Sequence, residues 1–181
     1  MPNVFGEDVP DRVEAITAAF QRHGDAVRGT YRARYVHRGD TQDPYSGATL
    51  ERPAALIGNP PGRIFPWEQI FLAAAHCAGS DYPMLARHFG VTLDALEFEV
   101  EGIFDPRGEF DGLAGFAAPA DAARCYLALH LRTRITSDAP RVTLEAIHER
   151  VVRRNMVLGA LRGIPLTDEL VIEAQAPRER V

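Results

Sequence analysis

Over residues 66–89 the chain carries apolar side chains around most of a helical circumference, and a helix of that kind has to be covered on nearly every side. One line along it reads Ile70, Ala74, Cys77, Asp81 and Met84, and the adjoining line reads Phe71, Ala78, Tyr82, Leu85 and Phe89. Both lines are expected to be buried. Pro66 suits the first helical position, Glu68 puts a carboxylate in the first turn where the helix dipole favours it, and Gly90 ends the helix. Pro83 removes the bond to the Gly79 carbonyl and predicts a kink over residues 79–83. Such a helix needs other layers around it, so the flanking segments must supply them.

They read as strands. Residues 26–38 alternate with period two, placing Val27, Tyr31, Ala33 and Tyr35 on one side and Arg28, Arg32 and Arg34 on the other. Leu96, Phe98, Val100 and Phe104 alternate with Glu97, Glu99 and Glu101, while Cys125, Leu127, Leu129, Leu131 and Ile135 alternate with Tyr126, His130, Arg132 and Arg134. A weaker strand is expected within residues 49–57, between the turn-rich residues 39–47 and the breaker cluster 58–62, and a last short strand over residues 169–174. The opposite signs of the Arg-rich and Glu-rich faces suit cross-strand or cross-subunit pairing.

A helix over residues 11–23, capped by Asp11 and ended by Gly24, leads the chain. Another starts at a Thr143 cap and runs through Leu144, Ile147, Val151, Asn155 and Leu158, with an interruption near Asn155. The order helix, two strands, long helix, two strands, helix, strand predicts an α+β fold of two layers, an antiparallel sheet packed against two long helices. With no internal repeat or low-complexity tract, residues 1–181 are expected to form one domain, a helical extension over 1–25 and a core over 26–174.

Composition removes several function classes. The net charge of −5 argues against nucleic acid, whose binding depends on clustered cations, and no run of 18 apolar residues exists to cross a membrane. All twenty basic residues are Arg, which removes Schiff-base and lysine general-base chemistry. The N-terminus lacks the basic and apolar regions of a secretory signal, so the expected location is cytoplasmic. Cys77 and Cys125 are too far apart in sequence to suggest a disulfide scaffold or a zinc site of close ligand pairs. Neither a metal nor any other cofactor is expected.

The segment Phe65-Pro66-Trp67-Glu68-Gln69-Ile70-Phe71-Leu72-Ala73-Ala74-Ala75-His76-Cys77 resembles the helix entry of the OsmC/Ohr superfamily, the osmotically inducible and organic hydroperoxide resistance proteins. That entry has a Pro, one or two acids, an apolar and Ala-rich turn, then the reactive Cys. Residues 96–105, followed by Asp105-Pro106-Arg107-Gly108, continue the likeness. Asn155-Met156-Val157-Leu158-Gly159-Ala160-Leu161 resembles the second motif, in which Cys-Pro-Val is followed by a Leu four residues after the Val, with Asn155 in place of the Cys. The likeness covers about residues 28–172.

The resemblance implies the OsmC-like fold, an intertwined homodimer with its sites at the subunit interface, and thiol-dependent reduction of organic hydroperoxides through Cys77, as in a one-cysteine, peroxiredoxin-like peroxidase. Three departures accompany it. Asn155 removes the partner that would resolve an oxidised Cys77 as an internal disulfide. The acid that helps hold the family's catalytic Arg falls on Trp67, and Glu68 matches the neighbouring acid. No Arg lies on a matching motif, so Arg28, Arg32, Arg34, Arg38 and Arg63 are candidates by position alone.

A peroxidatic cysteine reacts as the thiolate, so it needs a cation nearby. Cys77 lies about three turns into its helix, beyond reach of the helix N-terminus, so that cation must come from another element or subunit. With no second Cys, an external thiol must reduce the oxidised sulfur. Trp67, Phe71 and Tyr82 offer an apolar approach for a bulky hydroperoxide, although aromatic side chains at helical spacing are more often core. Cys125 reads as a small core residue. The alternative function is a non-catalytic member that binds a small apolar ligand at the dimer interface, with Cys77 kept for packing. Zinc held by Cys77, Asp81 and His88, and acyl transfer through His76 and Ser80, lack supporting spacing.

Overall fold

The computed structural model describes residues 9–39, 48–51, 64 and 66–174. The chain runs α1 (Val9–His23), β1 (Gly29–Arg38), β2 (Thr49–Glu51), α2 (Pro66–His88), β3 (Ala95–Phe104), β4 (Tyr126–Thr136), α3 (Arg141–Arg154), α4 (Met156–Ala160) and β5 (Leu166–Glu173), with short 3₁₀ turns between Pro106 and Ala122. The five strands form one sheet in the order β2-β1-β3-β4-β5, and the helices α2, α3 and α4 pack together on one face of it. This is the expected α+β arrangement of two layers.

The sheet is antiparallel except at β4–β5, which pair in parallel from Leu129 opposite Leu166 to Thr136 opposite Glu173. A parallel pair needs a crossover, and α3 with α4 provides it. Leu96, Phe98, Val100 and Phe104 face the helices, and Glu97, Glu99 and Glu101 face outward, as the alternation requires. On the outer face each column of one charge is flanked by the other. Glu99 is 3.2 Å from both Arg32 and Arg132, Arg34 lies 2.6 Å from Glu97, and Arg134 lies 3.4 Å from Glu173. The expected cross-strand pairing therefore occurs within one chain.

Tyr126 does not follow the expected alternation. The β3–β4 register shifts between Ile103 and Phe104, so that Ala128 faces Ile103 but Tyr126 faces Phe104. A bulge of one residue exchanges the two faces beyond it. Tyr126 consequently turns inward against Phe71 and Phe104, and its hydroxyl donates to the Trp67 carbonyl at 3.0 Å.

α2 is one helix of 23 residues that continues through Pro83. Its buried line is Glu68, Phe71, Ala75, Ala78, Gly79, Tyr82 and Ala86, with Ala74 beside it, and this line lies on the sheet. Two close approaches let it sit there. A Cβ at Gly79 would stand 2.4 Å from the Tyr35 ring, and a Cβ at Gly102 would stand 1.9 Å from the Phe71 ring. The expectation that both apolar lines are buried fails at the far end, where Met84 is 60% and Phe89 48% exposed. Cys77 and Asp81, on the line turned toward α3 and α4, are half-buried.

Other boundaries differ as well, β5 beginning at Leu166 and not at residue 169. α1 begins at Val9, so Asp11 lies within its first turn and not at the cap. α3 begins at Arg141 after Pro140, whose carbonyl accepts from the Thr143 N–H at 2.9 Å, so Thr143 is likewise inside the helix. β1 begins at Gly29, and Val27 belongs to the preceding 3₁₀ turn. The remainder of the expected weak strand beyond Glu51, the breaker cluster, Arg63 and Phe65 lie outside the described residues.

α1 is anchored by a second, smaller core of Phe20, Val27 and Phe116, with Phe110 edge-on to Phe20 at 5.3 Å. Beside it, the fully buried Asp105 accepts from Arg107 Nη2 at 2.8 Å and Arg28 Nε at 2.7 Å, and Arg107 also reaches Asp25 at 2.8 Å. Burial alone would push the Asp105 carboxyl up, but the hydrogen bonds from Arg107 and Arg28 outweigh it and hold the group below its usual range.

Candidate functional site

α3 ends at Arg154, Asn155 is extended with φ −59° and ψ 136°, and α4 starts at Met156. The interruption expected near Asn155 is therefore a full break. It frees the Asn155 side chain to cap α4, and Oδ1 accepts from the N–H groups of Val157 at 3.0 Å and Leu158 at 3.1 Å. Nδ2 points the other way, donating to Asp81 Oδ2 at 2.8 Å and to Cys77 Sγ at 3.2 Å. Asn155 is only 4% exposed.

Cys77 and the residue at the second-motif position are thus in contact, although 78 residues apart. Asp81 joins them because it lies one turn beyond Cys77 on the same helix face. The sequence puts Asp81 on that face with no role beyond the zinc set already dismissed, and only the tertiary approach of the α3–α4 break supplies one.

The other expected site residues separate into different places. Glu68 is fully buried in the first turn of α2, nine positions and about 13 Å of helical rise before Cys77. Trp67 stacks on Phe104 at 4.2 Å and meets Tyr31 edge-on at 4.7 Å, while Phe71 stacks on Tyr31 at 5.9 Å. Trp67 and Phe71 therefore share one aromatic cluster between helix and sheet, Phe71 with no exposed surface. Burial pushes the Tyr126 hydroxyl of this cluster up to about 12.

Tyr82 lies elsewhere, fully buried, with its hydroxyl 2.8 Å from His148 Nδ1 and 3.1 Å from Thr133 Oγ1. His148 Nε2 is 3.1 Å from Asp168 Oδ2. A carboxylate only accepts, so Nε2 carries the proton, and in the neutral ring Nδ1 accepts from the Tyr82 hydroxyl. Burial pushes that hydroxyl far above its usual range, which keeps it protonated as a donor. The network binds α2, α3, β4 and β5 together; the sequence signalled it only by a His on the buried line of α3.

Among the candidate cations, Arg32 and Arg34 sit on the outer face of the sheet, opposite to the helices, and are paired with Glu99, Glu101 and Glu97. Arg28 is engaged by Asp105 and Asp121, and Arg38 is exposed at the end of β1. Among the described residues, the polar group in contact with the Cys77 sulfur is the Asn155 amide. Cys125 packs at the edge of the core, and burial, then Glu109, push its thiol up. Ser80 donates to the Cys77 carbonyl at 3.0 Å, and His88 is exposed at the end of α2.

No curated protein matches the chain. Among solved structures it is similar to an OsmC-like hydroperoxide resistance protein from Jannaschia sp. CCS1, at 14% identity over 86% of this chain and 93% of that one, with a TM-score of 0.50. A hypothetical protein from Aquifex aeolicus VF5 is similar at 10% identity over 79% and 98%, also at 0.50. An OsmC-like protein from Mycoplasma pneumoniae shares 14% identity over 78% and 94%, with a TM-score of 0.46. The two likenesses at 0.50 agree with the two-layer fold. The family model described as OsmC-like protein matches residues 61–169, which takes in all of α2, the Cys77 and Asn155 positions and the strands between them; the chain belongs to the OsmC-like family.

Proposed function

We propose that the protein reduces organic hydroperoxides through Cys77, by the one-cysteine route. The observation that carries this reading is the position of Cys77. It lies inside the family-matched segment, half-buried on α2, with a hydrogen-bond donor from the second-motif position directed at its sulfur. In the reaction the thiolate attacks the distal peroxide oxygen, an S–O bond forms and the O–O bond breaks. The sulfur loses two electrons and becomes a sulfenic acid, and the departing alkoxide takes a proton from water to leave as the alcohol. An external thiol then condenses with the sulfenic acid, releasing water, and a second thiol frees Cys77 as the disulfide of the reductant leaves.

The activating cation is an Arg of another element or of a second copy of the chain. A homodimer is part of the proposal. Its support is the exposure of four large apolar side chains on the helices and at their ends, Met84, Phe89, Val142 and Met156. A second reading, an OsmC-like carrier of a small apolar ligand at that interface, is favoured by Asn155 standing where the motif has a Cys.

The test is consumption of cumene or tert-butyl hydroperoxide with a dithiol reductant. The peroxidase reading expects turnover that Cys77→Ser abolishes and Cys125→Ser leaves unchanged. Absence of turnover, or turnover that survives Cys77→Ser, refutes it and leaves the carrier reading.

A further inference from the structure

Asn155 uses its whole hydrogen-bonding capacity. Oδ1 takes two backbone N–H groups at the start of α4, and Nδ2 gives one hydrogen to Asp81 and the other to the Cys77 sulfur. The orientation of the amide is fixed by chemistry as well as by geometry. Turned over, it would set its oxygen against a carboxylate and its N–H groups against other N–H groups, with Asn155 itself buried. The donor toward the sulfur is therefore built in.

We infer that Asn155 is a positioning residue for Cys77: its Nδ2–H holds the sulfur as an acceptor and favours the ionised thiol, while Asp81 keeps the amide aimed. This deepens the proposed thiol chemistry and rests on it. A hydrogen bond to the charged form of a group favours that form, and an N–H facing a thiolate is charge-assisted. Asp81, one turn beyond Cys77 on α2, takes the other hydrogen of the same amide, so one Asn155 side chain offers one N–H to each. At the position where the family's second motif has a Cys, this chain serves the reactive sulfur with a donor instead of a disulfide partner.

The discriminating variant is Asn155→Ser, because Asn155→Asp would also bring a like charge to the sulfur and raise the midpoint whatever the amide does. Ser caps a helix about as well as Asn does, but its hydroxyl is too short to serve the cap and the sulfur together, so the α4 start is kept while the donor facing the sulfur is lost. Iodoacetamide labelling of Cys77 is followed against pH in a Cys125→Ser background, with circular dichroism to confirm folding. The expected result is an upward move of the labelling midpoint by about one to two pH units, the worth of one hydrogen bond to a charged group. Peroxide consumption at neutral pH should fall about tenfold or more. An unchanged midpoint in the folded variant overturns the inference.

Should Asn155→Ser not fold, Asn155→Thr decides in the same way, because it too keeps a capping hydroxyl too short to reach the sulfur; the same upward move supports the inference and an unchanged midpoint overturns it. Labelling needs no peroxide. A parent chain that shows the shift between variants but consumes no hydroperoxide supports the donor role and refutes only the peroxidase reading.

Discussion

Gly79→Ala sets two effects of opposite sign against each other. In a helix interior the change from Gly to Ala gains about 1 kcal/mol. At this position the added methyl would stand 2.4 Å from Cγ and Cδ1 of Tyr35 and 2.7 Å from its Cβ. Carbon atoms rest about 3.5–4.0 Å apart, so the contact is short by about 1 Å. Rotating the Tyr35 ring gives no relief, because Cβ and Cγ are fixed to β1 and the residue is fully buried. α2 must instead lift from the sheet. Overpacking costs about 1–3 kcal/mol, and immovable neighbours put this site at about 3. The net loss is then about 2 kcal/mol, a fall in Tm of about 4–8 °C for a domain of this length. Gly159→Ala in α4 is the control. Nothing lies within 4 Å of its new Cβ, so the same substitution should gain about 0.5–1 kcal/mol. Urea titration and thermal melts on both variants read the difference. A Gly79→Ala variant as stable as its parent, or more so, refutes the reasoning.

Asp105→Ala leaves Arg107 buried without its main partner and should cost about 3–5 kcal/mol by urea denaturation. In the parent chain the same carboxyl is depressed on folding, so its contribution is complete above the unfolded value of about 3.9. It should fade as pH falls through the lower folded value, which an acid titration followed by circular dichroism will register. Tyr82→Phe strips a partner from both Thr133 and His148 and should cost about 1–3 kcal/mol with the fold retained. In a Cys77→Ser variant the remaining thiol of Cys125, pushed up by burial and Glu109, should label slowly until the medium is alkaline; rapid neutral labelling contradicts that assignment.

The elements that periodicity specifies strongly were legible in the chain. The alternation of Glu97, Glu99 and Glu101 with apolar residues fixes β3 and its faces, because a half-buried strand has a period of two. The break at Asn155 was also legible. What could not be read depends on pairing between distant segments. Tyr126 turns inward because of a register shift against β3, and β5 lies parallel to β4 because the crossover returns it to the same end. Which line of α2 meets the sheet was hidden by its apolar circumference, and the contact of Asn155 with Cys77 spans 78 positions of chain. The Arg candidates had the right charge. Their strand phase sends Arg32 and Arg34 to the far side of the sheet.

β5 is the outermost of the described strands beside β4, and an outer strand invites a stray chain to zip alongside it. Here the residue between Leu166 and Leu170 on its helix-facing side is Asp168, tethered by His148. A newcomer extending the sheet in register would have to bring its own apolar row beside that anion. The tether that steadies the helices thereby also guards that margin of the sheet against strand addition.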